Sequence, residues 1–320
     1  MRNKTLTEEK TWIWPLLGAI GIYVVISILV HAISLKFLLV NLTLAGFLIL
    51  LSLAQMTVIT SGDGAIDLSN QYTVALSAYI SSIVMINYGI VAGIIVTLAV
   101  CILIGFMNGV INVYLKVPAM ITTLAVGYIT YSAVLMISGI TTGRPSSVIM
   151  HLTQECRILG ISPLLYIVVL IIIGMQVLLY KTKYGKYLHA VGQNRTATKL
   201  AGINVNKTII LSFIISSVLT GIAGVLLGGY FGGATPDMGL SYLVLSIGSC
   251  VIGGTSAAGG KSSVVGAVCG SIMLTLLVSF LNLTRLPPSY QDIIEGALLM
   301  FILVASMPRV RISKFKVSHN

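Results

Sequence analysis

The segment GGTSAAGGKSS, residues 253–263, is the stretch that comes nearest to a phosphate-binding loop. Such a loop needs the spacing G-x-x-x-x-G-K-[ST], in which backbone amides surround a phosphate and the lysine neutralises it. Residues 260–262 fit the end of that pattern, but position 255 is Thr255 rather than glycine. No acid that could hold Mg²⁺ stands between Asp237 and Asp292. We therefore interpret the segment as a small-residue turn between closely packed helices, and we do not expect the chain to bind ATP.

The other residue types with chemical potential are few and dispersed. Carriers driven by protons or sodium place carboxylates within the membrane, but here nearly all acids fall in polar breaks. Only Asp67 and Glu295 are placed to lie at any depth. The four histidines match no metal-ligand spacing, and the four cysteines form no C-x-x-C pair. We therefore predict no catalytic residue, no metal site and no cofactor bound by this chain.

The bulk composition places the chain in a membrane. Of its 320 residues, 57% are hydrophobic and 8% are charged, whereas about a quarter are charged in soluble proteins. The apolar runs are long, which indicates helices rather than a β-barrel. The formal charge is +11, but the bases lie in loops and at the termini, so nucleic-acid binding is not indicated. The predicted fold class is an all-α integral membrane protein, with residues 1–320 forming a single polytopic domain in contact with lipid.

Ten transmembrane helices are predicted from the apolar runs, since a helix needs roughly 20 residues to cross about 30 Å of hydrocarbon. The predicted spans are 13–33, 37–60, 73–87, 90–107, 119–138, 163–180, 208–229, 242–253, 264–281 and 293–307.

The basic residues predict the orientation of these spans. Residues 181–207 carry six lysines and arginines and no acid, so we place this loop in the cytoplasm, where such residues are retained during insertion. Both termini are also basic. The resulting topology has the amino and carboxyl termini inside, and it leaves Lys36, Arg144, Arg157 and Arg285 outside. The other 15 of the 19 lysines and arginines then lie inside.

An internal repeat is indicated by two recurring motifs. Lys116-Val117-Pro118 and Arg285-Leu286-Pro287 are each followed, nine residues after the proline, by a glycine, at offset 169. Asp67-x-x-x-Gln71-Tyr72 recurs as Asp237-x-x-x-Ser241-Tyr242 at offset 170. Spans two to five and seven to ten would then be related, and the topology makes the repeat inverted, as in many transporters. Chance is the alternative, because a base before a proline is a common signal at helix ends.

Several blocks of sequence, in order along nearly the whole chain, resemble one family. They are IDLS at 66–69, NG at 108–109, KVPA at 116–119, TKYGKY at 182–187, AVGQN at 190–194, AGINV at 201–205, GGTS at 253–256 and GGK at 259–261. These blocks resemble the membrane permease subunits of ABC importers of the ribose or simple-sugar type.

The chain also departs from the pattern of that family at two places. Asp63-Gly64-Ala65 lengthens the loop before the IDLS block, and Asn70-Gln71 follows it where the family has Val-Gly. Arg195 stands where the family has an acid in the cytoplasmic loop. The resemblance therefore implies a matched partner ATPase, on which we expect the charge that compensates Arg195.

The resemblance implies the partners and the mechanism. Two permease subunits, identical or different, form the pathway in the bacterial inner membrane. Two ATPase subunits, which carry ATP and Mg²⁺, dock on the inner loops, and an extracellular solute-binding protein delivers a sugar or a similar small polar solute. The chain itself would not be an enzyme. An ion-coupled secondary transporter is the alternative.

The resemblance and the polar residues define two sets of candidate site residues. In the loop 181–207 we expect a short coupling helix that docks the ATPase, with Gly185, Gly192 and Gly202 as its breaks; the alternative is a merely solvated loop. The docking candidates are Tyr184, Gly185, Gly192, Asn194, Arg195, Ala197 and Gly202. The substrate-pathway candidates, each of which could equally be a helix cap, are Asp67, Ser69, Asn70, Asn87, Asn108 and Asn112.

Overall fold

The structure is a computed structural model that describes residues 11–31, 34–141, 143–284, 286–287, 289–291, 293–294, 296–297 and 300. Most of the predicted tenth span, the basic carboxyl-terminal tail and Arg285 of the repeat motif lie outside the described residues. Residues at 289–291, 293–294, 296–297 and 300 are helical.

The described part of the chain folds into helices, and each of the first nine predicted spans overlaps one of them, although α4 continues to Tyr114, seven residues beyond the predicted end of its span. The helices are α1 (Ile13–Leu29), α2 (Leu35–Thr60), α3 (Asn70–Tyr88), α4 (Ile90–Tyr114), α5 (Ala119–Ser138), α6 (Ser147–Met150), α7 (Pro163–Tyr180), α8 (Lys183–Gln193), α9 (Arg195–Leu200), α10 (Val205–Phe231), α11 (Leu240–Ile252) and α12 (Val264–Leu283). A π-helical turn, His151–Glu155, continues α6.

Six of the helices are long and apolar enough to cross a membrane, namely α2, α4, α5, α7, α10 and α12. The helices α1 and α11 are apolar but shorter, with 17 and 13 residues. The polar helix α3 has 19 residues and carries several buried serines. The chain is therefore a multi-pass, all-helical membrane protein.

Helix α2 is the centre of the bundle, and it is buried over most of its length. Its core residues Leu50, Leu53 and Met56 are fully inaccessible to solvent. Serines from three helices meet beside this core: the Ser271 hydroxyl of α12 donates to Ser52 of α2 at 2.9 Å, and Ser52 also contacts Ser249 of α11. Small polar side chains allow close packing of helices and satisfy each other in an environment without water.

The helix boundaries recur with the offset of the sequence motifs. Helices α2 and α10 begin at residues 35 and 205, and helices α3 and α11 begin at residues 70 and 240, so both pairs are 170 residues apart. Helices α2 and α10 run antiparallel, because Thr57, near the end of α2, donates to the Ser212 carbonyl in the first half of α10 at 3.1 Å. At the other end of the pair, the rings of Phe47 and Tyr230 are 5.3 Å apart.

The loop 181–207 contains two helices, α8 and α9, where a single short coupling helix with three glycine breaks was predicted. The prediction that Gly185 and Gly192 break the helix was wrong, because both lie inside α8. The break falls at Asn194, whose extended backbone separates the two helices. Gly202, which has a φ of +79°, follows the end of α9.

Candidate coupling and transport sites

The segment that contains α8 and α9 is here called the α8–α9 unit (residues 182–204). Side-chain caps mark the starts of its helices and of α10. The Thr182 hydroxyl accepts from the Gly185 amide at 3.4 Å, and the Asn194 side chain accepts from the Ala197 amide at 2.9 Å. Asn204 caps α10 in the same manner. Such caps satisfy amides that the first turn of a helix leaves free. The three polar caps therefore define where each helix of this basic segment starts.

The α8–α9 unit meets the membrane bundle at a cluster of glycines, here called the glycine junction (Gly62, Gly192, Gly259 and Gly260). A Cβ atom on Gly192 would lie 2.0 Å from the Thr60 carbonyl oxygen and 2.4 Å from the Gly260 amide nitrogen. The Gly260 amide donates to that carbonyl at 3.0 Å. The end of α2, the end of α8 and the turn 253–263 are thus in direct backbone contact.

The first half of α8 is fixed against the end of α7. A Cβ atom on Gly185 would lie 2.0 Å from the Leu179 carbonyl oxygen, so only glycine allows this approach. The Tyr184 side chain is partly buried, and its buried hydroxyl has no hydrogen-bond partner among the described residues. Burial raises the pKa of Tyr184, so the residue is neutral and contributes to packing.

His189 connects α8 to the turn 253–263 through a contact that no sequence pattern predicts. Its Nδ1 atom lies 2.7 Å from the Gly185 carbonyl oxygen, and its Nε2 atom lies 2.9 Å from the Ser262 hydroxyl. Because a carbonyl can only accept, Nδ1 carries the proton in the neutral ring and Nε2 accepts from Ser262. The Gln193 side chain adds a hydrogen bond of 3.3 Å to the Gly260 carbonyl. These residues are far apart in the sequence and follow no recognisable spacing, so their proximity is seen only in the folded structure.

Arg195, the first residue of α9, forms an ion pair with Asp63 of the same chain. Its Nη1 atom lies 2.6 Å from the Asp63 carboxylate, and the side chains are 34% and 69% exposed. A cation is unfavourable at a helix amino terminus, and Asp63 offsets that effect. The compensating charge expected on the partner ATPase is therefore supplied by Asp63, which belongs to the other departure from the family pattern.

The charges of Arg195 and Asp63 can be exchanged to test their pairing. We expect Arg195→Asp to weaken transport, because it places two acids side by side, and Asp63→Arg to weaken it through two bases. The double variant restores a pair of opposite charges and should recover most of the wild-type uptake. The pair is partly exposed, so the single effects should be modest, about twofold to fivefold. Equal losses in the double variant and the worse single variant would contradict the pairing.

A cavity of about 390 Å³ opens beside this ion pair. Its polar lining comes from the loop before α3, the end of α4 and the turn after it, and the starts of α9 and α10; it includes Asp63, Asn112, Lys116, Arg195 and Asn206. One predicted pathway residue, Asn112, and one predicted docking residue, Arg195, thus line the same cavity. The Asn112 side chain also donates to the Val117 carbonyl at 2.8 Å, which holds the turn between α4 and α5.

Four of the predicted pathway residues lie together in a buried network. Asp67 is fully buried, and its carboxylate accepts from the Ser69 hydroxyl at 2.6 Å and from the Ser216 hydroxyl at 3.1 Å. Asn108 donates to the Ser69 hydroxyl oxygen at 2.9 Å. Asn70 accepts from Thr220 at 3.0 Å. This network joins the loop before α3 to α4 and α10, and none of its groups borders either large cavity.

The remaining pathway candidate, Asn87, lies apart from this network near the end of α3. Its side chain is exposed and donates to the Ile83 carbonyl in the preceding turn at 2.8 Å. In the part of the chain that the structure describes, no three His, Cys, Asp or Glu side chains are grouped to hold a metal ion.

Comparison with known proteins identifies permease components of transport systems as the relatives of this chain. A family model described as "Branched-chain amino acid transport system / permease component" matches residues 19–303. The autoinducer 2 import system permease protein LsrC of Enterobacter sp. (strain 638) is 33% identical over 261 residues, which cover 80% of this chain and 75% of that protein.

Two Yersinia proteins with the same name are also similar. The protein from Yersinia enterocolitica is 30% identical over 202 residues, 62% of this chain and 56% of its own length. The protein from Yersinia pestis (strain Pestoides F) is 29% identical over 220 residues, 68% of this chain and 62% of its own length. The chain thus aligns with less than two thirds of either Yersinia protein. No solved structure matches the chain significantly.

Proposed function

Since the chain belongs to the family of branched-chain amino acid transport system permease components, we propose that it forms the membrane pathway of an importer for a sugar or a similar small polar solute. The chain is a transmembrane permease subunit of an ABC importer, and the observation that carries this is the family match over residues 19–303. The solute class follows from the resemblance to simple-sugar permeases.

The proposed partners follow from the general composition of ABC importers. A permease subunit has no ATP site of its own, so a separate ATPase must carry ATP and Mg²⁺ and must dock on the cytoplasmic face. We further propose a solute-binding protein on the outer face and a second permease subunit, identical or different, in the bacterial inner membrane.

The proposed topology has about ten spans and both termini in the cytoplasm. The contacts of the described residues support one shared inner end: Thr11, the end of α2, the end of α8 and the turn 253–263 lie together. This is the end at which the basic loop lies, and lysines and arginines favour the cytoplasmic side. Six helices meet the length and hydropathy expected of a span, and the tenth predicted span falls largely outside the described residues.

The proposed inverted repeat is supported by two cavities at opposite ends of α10. The cavity beside the Arg195–Asp63 ion pair borders the start of α10, and a second cavity of about 690 Å³ borders its end. Ala65 and Asn112 line the first cavity, and the residues 170 positions further on, Thr235 and Asn282, line the second. An antiparallel pair of related helices, with one cavity at each end, is the arrangement on which alternating access is built.

We propose that the α8–α9 unit is the coupling element. Its outer surface is exposed at Ala197, Lys199 and Leu200. Its inner surface is fixed to α2 and to the turn 253–263 at the glycine junction. A movement of a docked ATPase would therefore pass through backbone contacts to two segments of the bundle.

Docking is tested by replacing Ala197 with tryptophan. The bulky ring would stand on the exposed face of α9 and hold the ATPase away, so we expect the ATPase to be lost from the purified permease. The matched control is Ala197→Ser, which adds one atom and should retain the ATPase. Both variants should remain in the membrane in wild-type amounts. Co-purification of the ATPase with Ala197→Trp at the wild-type ratio would show that α9 is not the docking surface.

The ion-coupled alternative has less support. The relatives are import-system permeases, and the buried acid Asp67 is engaged by hydroxyl donors rather than open to an ion.

A further inference from the structure

Three tyrosines and one acid form a cluster outside the sites described above, here called the tyrosine–aspartate cluster (Tyr72, Tyr128, Tyr131 and Asp237). The Tyr72 ring of α3 lies 5.8 Å from the Tyr128 ring and 4.9 Å from the Tyr131 ring, both on α5. The Tyr131 hydroxyl donates to the Asp237 carboxylate at 3.1 Å. The cluster thus joins α3, α5 and the loop before α11.

The cluster lies within the depth of the bundle rather than at either end. Helix α5 runs from residue 119 to residue 138, so Tyr131 stands about 18 Å along it and about 10 Å from its end. Gly239, at the start of α11, packs directly on the Gln71 carbonyl of α3, which holds the Asp237 loop inside the bundle.

Part of the cluster is open to its surroundings. Tyr128 is 55% exposed, and Asp237 is exposed. A carboxylate exposed to lipid hydrocarbon is costly, so intramembrane acids face water-filled cavities or polar partners. The exposed Asp237 carboxylate is therefore better placed beside water or a polar partner than in lipid hydrocarbon.

Asp237 is available to a ligand, whereas its counterpart in the first copy of the motif is not. Asp67 and Asp237 occupy equivalent positions in the two copies of the motif. Asp67 is fully buried and accepts hydrogen bonds from the Ser69 and Ser216 hydroxyls and from the Ser69 amide. Among the residues that the structure describes, the Asp237 carboxylate accepts one side-chain hydrogen bond, from Tyr131, so it keeps free acceptor positions. The first copy is structural, whereas the second copy can receive a ligand.

We propose that the tyrosine–aspartate cluster is a solute-contact site on the wall of the translocation pathway, and that its ligand is a neutral polyhydroxylated molecule. This inference rests on the proposed function. The exposed Tyr128 ring offers a flat face for the carbon–hydrogen face of a sugar ring. The Asp237 carboxylate accepts hydrogen bonds from solute hydroxyls. The cluster contains no basic side chain, so the carboxylate of an amino acid or sugar acid would be repelled.

The aqueous position is tested by thiol labelling, which needs no solute. Ser132 lies one helical turn beyond Tyr128 on the same exposed face of α5, so Ser132→Cys is a nearly isosteric probe. Leu170→Cys on α7 is the control, because Leu170 is 71% exposed and about equally deep. Both are made in a Cys156→Ser background. The charged reagent MTSET requires a thiolate in water, so we expect Ser132→Cys to react about tenfold faster or more. Equal rates in the assembled transporter would overturn the proposal.

The ligand class is tested by uptake of labelled D-ribose through the permease assembled with its ATPase and binding protein. Asp237→Asn should lower uptake about tenfold or more, since a site built for hydrogen bonds discriminates strongly when one is altered. The control is Glu155→Gln, which changes an exposed acid outside the cluster. Unchanged uptake in Asp237→Asn would overturn the site. If the wild type itself took up no ribose with ATP, the proposed solute class would fail, and the labelling rates would decide the site by themselves.

Discussion

Replacing Gly192 with alanine is expected to reduce ATP-driven uptake about tenfold or more, because overpacking typically costs 1–3 kcal/mol and here it falls on the coupling contact. The added methyl group would lie 2.0 Å from the Thr60 carbonyl oxygen, inside the hydrogen bond from the Gly260 amide. The end of α8 would have to move away from both α2 and the turn 253–263. The measurement is solute uptake by the assembled transporter in proteoliposomes, normalised to the amount of permease.

The matched control is Gly174→Ala on α7. Gly174 is also helical, but a Cβ atom there would meet nothing within 4 Å. This variant should transport as the wild type does, since alanine favours a helix over glycine by about 1 kcal/mol. The amount and monodispersity of both purified variants separate a loss of coupling from a loss of folding. Wild-type uptake by a correctly assembled Gly192→Ala permease would contradict the mechanical role of the glycine junction.

Replacing Asp67 with alanine is expected to destabilise the protein by about 3 kcal/mol or more, since each buried donor left without an acceptor costs about 1–3 kcal/mol. The Ser69 amide, the Ser69 hydroxyl and the Ser216 hydroxyl would all lose the carboxylate that accepts from them. Because the network joins the loop before α3 to α10, its loss should loosen the centre of the bundle. Thermal unfolding of the purified permease in detergent measures the effect as a lower Tm.

Asp67→Asn is the control for this prediction. The amide retains one oxygen that can accept from Ser69, so its Tm should lie between those of the wild type and of Asp67→Ala. A substitution of the equivalent Asp237 should lower Tm much less, because Asp237 is exposed and accepts one hydrogen bond, from Tyr131. If Asp67→Ala unfolded at the wild-type temperature, the buried network would not be a structural element.

Long apolar runs were the features that the sequence predicted best. Helices α5 and α7 begin and end where their runs do, because Pro118 and Pro163 mark their starts and polar residues follow their ends. The 170-residue offset between the Asp67 and Asp237 motifs was also readable, and the boundaries of α2 and α10 repeat it. These features depend on local sequence, so no tertiary contact was needed to find them.

The contacts within the coupling and pathway regions could be identified only from the folded structure. Gly185 and Gly192 were expected to break a helix, whereas tertiary contact uses them for close approach inside α8. The pairing of Arg195 with Asp63 joins residues more than a hundred positions apart, and no local pattern relates them. The repeat motif equated Asp67 with Asp237, but their difference in burial depends on neighbours from other helices.

The dependence of transport on ATP is the most direct test of the central claim, that this permease is driven through the α8–α9 unit by a separate ATPase. Wild-type permease, its ATPase and its binding protein would be reconstituted in proteoliposomes and supplied with labelled D-ribose. Uptake should require ATP hydrolysis, should persist when an ionophore removes every ion gradient, and should disappear with Ala197→Trp. Uptake that proceeds without ATP and stops with the ionophore would contradict the account.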